Sequence, residues 1–151
     1  EGYDQIIWTD DATHEYFEES GTMNVFVRIN DTIYTPPTSE KILDGITRDS
    51  FIQLAKHKGL DIRVEPVAVK TVLEAQKNGT LKEIWGVGTA VVTSVFKAFG
   101  YKDQRFELPV LADEDSYALT LKKALVDIQT NQAEDPFGWR ELVERNILET
   151  V

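Results

Sequence analysis

The chain alternates short apolar runs with polar and glycine-containing breaks. Ile6-Ile7-Trp8 is a β-branched and aromatic run that reads as a buried strand and ends at the polar cluster Thr9–Thr13. In Met23–Ile29 the residues Val25, Val27 and Ile29 fall on one face by period two, which predicts a strand. Asn30-Asp31 turns that strand into Thr32–Thr35, and Pro36-Pro37 stops it, so residues 23 to 35 read as a hairpin. A helix follows Gly45: Phe51, Ile52, Leu54 and Ala55 recur at helical spacing, Lys56, His57 and Lys58 crowd the last turn, and Gly59 supplies the stop.

The spacing then predicts a strand over 61–69 interrupted at Pro66, a short helix over 70–77 ending at Asn78-Gly79, and a strand over 83–86. Val91–Phe99 reads as a further strand, with 105–108 pairing nearby. From Asp113 to Ile128, Tyr117, Leu121, Ala124, Leu125 and Ile128 form one apolar helix face behind an acidic first turn. Strands in succession, broken by isolated helices, predict a mixed α+β domain rather than a doubly wound sheet. There is no internal repeat and no linker. Asp135-Pro136-Phe137-Gly138-Trp139 is aromatic enough to be expected on the core, and residues 146–151 are expected to form a flexible tail beyond a single domain of residues 1–145.

Composition narrows the functional classes. At 151 residues the chain is of single-domain size, with 42% hydrophobic and 28% charged residues, the proportions of a folded chain. Sixteen Lys and Arg against 26 Asp and Glu give a net charge of −10 with no basic run, so a nucleic-acid partner is not expected. The absence of cysteine removes disulfides, thiolate metal sites and a cysteine nucleophile. No apolar stretch approaches the ~20 residues of a membrane span, and Glu1–Gln5 lacks the basic and apolar regions of a signal peptide. A cytoplasmic location and no membrane partner are the expectations.

Two loops can hold an anion. Gly45-Ile46-Thr47 opens a helix whose free first-turn amides and dipole attract a phosphate, although a glycine there commonly just ends a loop. Gly86-Val87-Gly88-Thr89-Ala90 offers unencumbered amides and the Thr89 hydroxyl, although Gly-x-Gly is commonly a tight turn; with no third glycine and no following helix it is not a dinucleotide fingerprint. Glu19, just before the Gly21 turn, reads either as a solvated loop carboxylate or as a buried one that needs a cationic partner. Asp10, Asp11, His14 and Glu15 superficially resemble metal ligands, but with only His14 and His57 in the chain no transition-metal site is expected. Asn30-Asp31-Thr32 and Asn78-Gly79-Thr80 match the glycosylation pattern and are taken as chance matches.

Taken together and in order, Glu19-Ser20-Gly21-Thr22-Met23-Asn24-Val25-Phe26, Gly45-Ile46-Thr47-Arg48 and Gly86-Val87-Gly88-Thr89-Ala90 resemble the branched-chain amino-acid aminotransferases, pyridoxal-phosphate enzymes of fold type IV. The Gly-Ile-Thr-Arg element is similar to one shared with D-amino-acid aminotransferases and aminodeoxychorismate lyases, whereas Gly21–Asn24 and Gly88–Ala90 resemble the branched-chain enzymes specifically. The resemblance implies the C-terminal large domain of such an enzyme, its strands forming a pseudo-barrel flanked by helices. It implies that Glu19 pairs with the pyridine nitrogen of pyridoxal 5'-phosphate, which keeps the ring an electron sink. Ile46, Thr47 and Thr89 are implied to hold the phosphate, the amides of Thr89 and Ala90 the substrate carboxylate, and Thr22 and Met23 to border the pocket. The substrates implied are leucine, isoleucine or valine and 2-oxoglutarate in a ping-pong exchange, and the enzyme is implied to be a homodimer or larger.

One departure matters. The family's Schiff-base lysine lies upstream of the Glu-x-Gly-Thr motif, and no lysine here precedes Lys41. The chain is accordingly expected to be the C-terminal portion of the enzyme, without a catalytic residue of its own and inactive alone, partnered by the N-terminal part of the same enzyme. Val91–Ser94 also lacks the Cys-x-x-Cys redox pair of some eukaryotic members. The competing readings are a non-catalytic domain that binds a phosphorylated ligand through the Gly45 and Gly88 loops, another fold type IV enzyme, and an acidic interaction domain captured by its C-terminal Glu149-Thr150-Val151.

Overall fold

In the computed structural model, which describes residues 2–141 and Val143, the sheet is assembled on strand β3 (Met23–Ile29). Along one edge it pairs antiparallel with β6 (Leu81–Val87) from Asn24 to Ile29, Asn24 opposite Val87 and Phe26 opposite Trp85. The other edge is shared: β2 (Phe17–Ser20) takes the Met23-Asn24 end and β4 (Thr32–Thr35) the Val27–Ile29 end. Thr35 Oγ1 donates to the Val25 carbonyl at 2.8 Å where those two partners diverge. The seven-stranded sheet is completed by β1 (Ile7–Thr9) on β2, β5 (Asp61–Val64) running parallel to β4, and β7 (Ser94–Val95) on β6. A separate hairpin joins β8 (Ala98–Tyr101) and β9 (Gln104–Glu107).

Both faces of β3 are covered, which is why its residues are apolar without a break from Val25 to Val27. On one face Phe26, stacked on Trp85 with centroids 5.4 Å apart, packs with α1 (Ile46–His57) and α3 (Tyr117–Gln129) through Phe51, Leu54, Leu121 and Leu125. On the other, Val25, Val27 and Ile84 meet α2 (Val69–Lys77) through Val69, Val72 and Ala75. The expected mixed α+β class is found. Phe137 and Trp139 do lie on the first cluster, stacked at 4.2 Å, with Phe137 edge-on to His57.

Four expectations need correction. Glu18, Glu19 and Ser20, for which one of the two readings is a solvated acidic loop, belong to strand β2, which backbone pairing on both sides holds in place. The strand expected over 61–69 ends at Val64, and Val67 and Val69 are buried instead at the start of α2. The strand expected over 91–99 is divided: residues 88–93 form a loop, followed by β7 and β8. The last helix starts at Tyr117, not in the acidic stretch; Asp113–Asp115 form a 3-10 turn, and Ser116 Oγ caps the helix by accepting from Leu119 N at 3.2 Å.

Its N-terminus is also held by a buried ion pair that the sequence pattern gives no reason to expect. Glu83, 3% exposed on β6, accepts from Arg28 Nη1 at 3.0 Å, from the Ser116 hydroxyl and from Tyr117 N at 2.9 Å. Arg28 also donates to the carbonyls of Asn30 and Asp115, and its guanidinium lies 3.5 Å from the centroid of the Tyr117 ring. The expected tail, residues 146–151, lies outside the described residues, and no described helix is long and apolar enough to cross a membrane.

Candidate functional site

The three motifs that lie far apart in sequence converge around the first residues of β3. Glu19 on β2 is the cross-strand partner of Asn24, and Asn24 is in turn the partner of Val87 on β6. Residues directly opposite in a sheet share a face, so Glu19 and Asn24 point to the same side, that of α1. There both meet one peptide unit. Leu43 N donates to Glu19 Oε2 at 3.4 Å, and Asn24 Nδ2 donates to the Leu43 carbonyl at 2.8 Å. The same carbonyl accepts from Gly45 N at 2.9 Å, closing the turn from which α1 departs. Glu19 is half-buried, intermediate between the two readings the sequence leaves open.

Gly45 is the N-cap of α1, and no side chain caps that helix end. A cap side chain has no room there: a β-carbon on Gly45 would overlap Asn24 Oδ1. The amides at the helix start thus lack an internal side-chain acceptor, the arrangement that favours an anion. Of the two residues singled out here, Ile46 is exposed and Thr47 buried. Arg48, which follows, is 5% exposed; its Nη2 donates to the Pro36 carbonyl at 2.8 Å, Nη1 lies 3.9 Å from Asp44, and Nε has no partner. Burial pulls the pKa of this guanidinium down, while Asp44 and Asp49 oppose the shift.

The Gly-x-Gly element is not a turn. Gly86 lies within β6 and Gly88 just past its end, and both are small because the start of β3 crowds them: a β-carbon on Gly86 would stand 2.9 Å from Met23 Sδ, and one on Gly88 3.1 Å from the Thr22 carbonyl. Thr22 is exposed, Met23 is buried, and Thr89 and Ala90 are exposed in the loop that leaves the strand. Gly21, at φ +56°, supplies the left-handed turn between β2 and β3.

Asn24 and Arg48 carry much of this geometry, although in the sequence they stand out only as members of their motifs. The available signal for Asn24 is a polar residue inside the otherwise apolar run Met23–Val27. Asp10 is not a ligand in waiting: its carboxylate accepts from Thr13 N and Oγ1, Glu15 N and Tyr16 N, bonds that hold its pKa well below the usual range and shape the turn. Among the described residues no group of three His, Cys, Asp or Glu is placed to bind a metal. A cavity of about 660 Å³ lies elsewhere, among β1, α2 and the β8–β9 hairpin, and includes none of Glu19, Ile46, Thr47 or Thr89.

The model of the family described as amino-transferase class IV matches residues 1–95. Branched-chain-amino-acid aminotransferase 2 of Bacillus subtilis is 37% identical over 138 residues, covering 91% of this chain and 38% of that protein. The chloroplastic branched-chain-amino-acid aminotransferase 2 of Arabidopsis thaliana is 34% identical over 138 residues, covering 91% of this chain and 34% of its own length. Among solved structures, the branched-chain amino acid aminotransferase of Escherichia coli superposes with a TM-score of 0.73 at 25% identity, over 91% of this chain and 42% of that one. The chain thus spans about two fifths of the length of the Bacillus relative. With more than half of its residues matched by the family model, and with the matched segments meeting around Asn24, the chain belongs to the class IV aminotransferases.

Proposed function

We propose that this chain forms the cofactor-binding portion of a branched-chain amino-acid aminotransferase, which moves the amino group of leucine, isoleucine or valine to 2-oxoglutarate. The observation that carries the proposal is the grip of Glu19 and Asn24 on the Leu43 peptide, which sets a carboxylate beside an uncapped helix start. A pyridoxal 5'-phosphate needs those two features at its two ends: a carboxylate for the ring nitrogen and amides for the phosphate. The donor set therefore fits the cofactor. When bound, the cofactor supplies the conjugated ring that takes up the electron pair left by loss of an α-proton, and it carries the amino group between substrates.

The chain's own residues bind and orient. Glu19 keeps the ring nitrogen protonated by offering it an anionic partner. The first-turn amides at Ile46 and Thr47 and the Thr89 hydroxyl hold the phosphate. The amides of Thr89 and Ala90 take the substrate carboxylate, and Thr22 and Met23 border the pocket. The proton is carried by a lysine from the rest of the enzyme, since the family's lysine lies upstream of the Glu-x-Gly-Thr motif and the first lysine here, Lys41, lies downstream of it. Residues 1–145 act as the domain, in a cytoplasmic homodimer. Two of the sheet's three end strands, β1 and β7, line the 660 Å³ cavity, so a strand or helix from the rest of the enzyme seated between them would complete the pseudo-barrel.

The test is to express the complete gene product, record the visible absorbance of bound cofactor and follow glutamate formation from leucine and 2-oxoglutarate. Transfer from all three branched-chain amino acids is expected, with Glu19→Gln retaining cofactor and losing most turnover. Transfer confined to D-amino acids, or binding of the cofactor with no transfer at all, overturns the proposal in favour of another class IV activity or a binding module.

A further inference from the structure

We infer that Asn24 is a positioning residue: it fixes the separation between Glu19 and the start of α1, and so sets how far apart the ring end and the phosphate end of the cofactor site stand. The inference rests on the proposed aminotransferase reading. Asn24 is 5% exposed, and its side-chain amide donates to Leu43 O at 2.8 Å. Three constraints meet at it. Its backbone is locked between β2 and β6 by the pairings with Glu19 and Val87. Its Nδ2 ties down the turn that ends at Gly45, and its Oδ1 packs against Gly45 so closely that no β-carbon fits between them.

The Leu43 peptide is then clamped at both ends, its N–H by Glu19 and its carbonyl by Asn24. Two side chains from adjacent strands, on one face, thus define where the helix begins. Without the Asn24 arm the Leu43 carbonyl keeps its bond from Gly45 N, so the turn itself survives. What is lost is the tie between turn and sheet. An aspartate of nearly the same shape is worse than a serine, because it turns an acceptor toward the Leu43 carbonyl and adds a second anion beside Glu19.

The experiment uses the complete enzyme with two probes, pyridoxal 5'-phosphate and pyridoxal, which lacks the phosphate. Loss of one hydrogen-bonded tie predicts that Asn24→Ser weakens pyridoxal 5'-phosphate binding about tenfold while pyridoxal binding stays within about twofold, and that Asn24→Asp weakens the former further. Gly45→Ala, which forces the same separation by overlap, is expected to give a similar selective loss that Asn24→Ser partly restores. Equal weakening of both probes marks a general structural role and overturns the inference, as does unchanged affinity for both. Should Asn24→Ser fail to fold, the Asn24→Asp and Gly45→Ala comparisons decide by the same criterion. Failure of the unaltered enzyme to bind pyridoxal 5'-phosphate sinks the aminotransferase reading instead, which keeps the two outcomes distinct.

Discussion

Removing the Glu83 carboxylate tests the energetic reading of the fold. In Glu83→Ala the guanidinium of Arg28, itself mostly buried, loses its 3.0 Å counter-ion, and Asp31, 3.5 Å away and largely in solvent, is a weak substitute. Breaking a buried pair by deleting one partner costs about 3–5 kcal/mol. Arg28 keeps its bonds to the carbonyls of Asn30 and Asp115, which favours the lower end. The same deletion leaves Tyr117 N without its acceptor, a capping loss of roughly 1 kcal/mol, while Ser116 still caps through Leu119 N. The expected total is about 4 kcal/mol. Glu83→Gln keeps an oxygen for Tyr117 N and Arg28 but loses the charge and sets an amide where Oε1 accepts from the Ser116 hydroxyl and Ala118 N, for about half that cost.

The assay is urea unfolding followed by tryptophan fluorescence, since Trp85 is fully buried against Phe26. With a slope of about 2 kcal/mol/M, Glu83→Ala should lower the midpoint by about 2 M and Glu83→Gln by about 1 M, at unchanged slope. Adding Arg28→Ala to Glu83→Ala should cost less than the sum of the single changes. A loss under about 1 kcal/mol for Glu83→Ala, or strict additivity, would show that the pair contributes little and refute this account.

Gly86→Ala should destabilise the chain by about 1–3 kcal/mol, because the new methyl meets Met23 Sδ at 2.9 Å, and combining it with Met23→Ala should recover part of that loss in the same unfolding assay. Acid titration tests Asp10. Bonds from the Thr13 hydroxyl and the Tyr16 amide lead the causes that hold its pKa below the ordinary value, so on acidification the unfolded chain takes up the proton first. The carboxylate's contribution is thus complete above the ordinary aspartate range and declines as pH falls through and below it. The stability advantage of the unaltered chain over Asp10→Asn should shrink between about pH 5 and pH 2, and an advantage that grows on acidification would reverse the sign of the argument.

Local chemistry determined a good deal by itself. The hairpin of β3 and β4, the extent of α1 from Gly45 to Gly59 and the apolar face of α3 follow from period, turn residues and stop signals within each segment. The three motifs likewise stood out, because glycines beside Thr or Glu are conspicuous in any window. Their convergence did not, since it depends on β2, whose acidic residues carry no strand signal, pairing with β3 so that Glu19 faces Asn24. The roles of Asn24, Arg48 and Glu83 were hidden for the same reason. Each is a polar group buried against partners 12 to 55 residues away, and its cost or benefit exists only once those partners are brought into contact. Even the Gly-x-Gly element changed meaning: Gly86 is set by the bulk of Met23 on the neighbouring strand and Gly88 by the Thr22 carbonyl just before it, constraints that only packing between segments can impose.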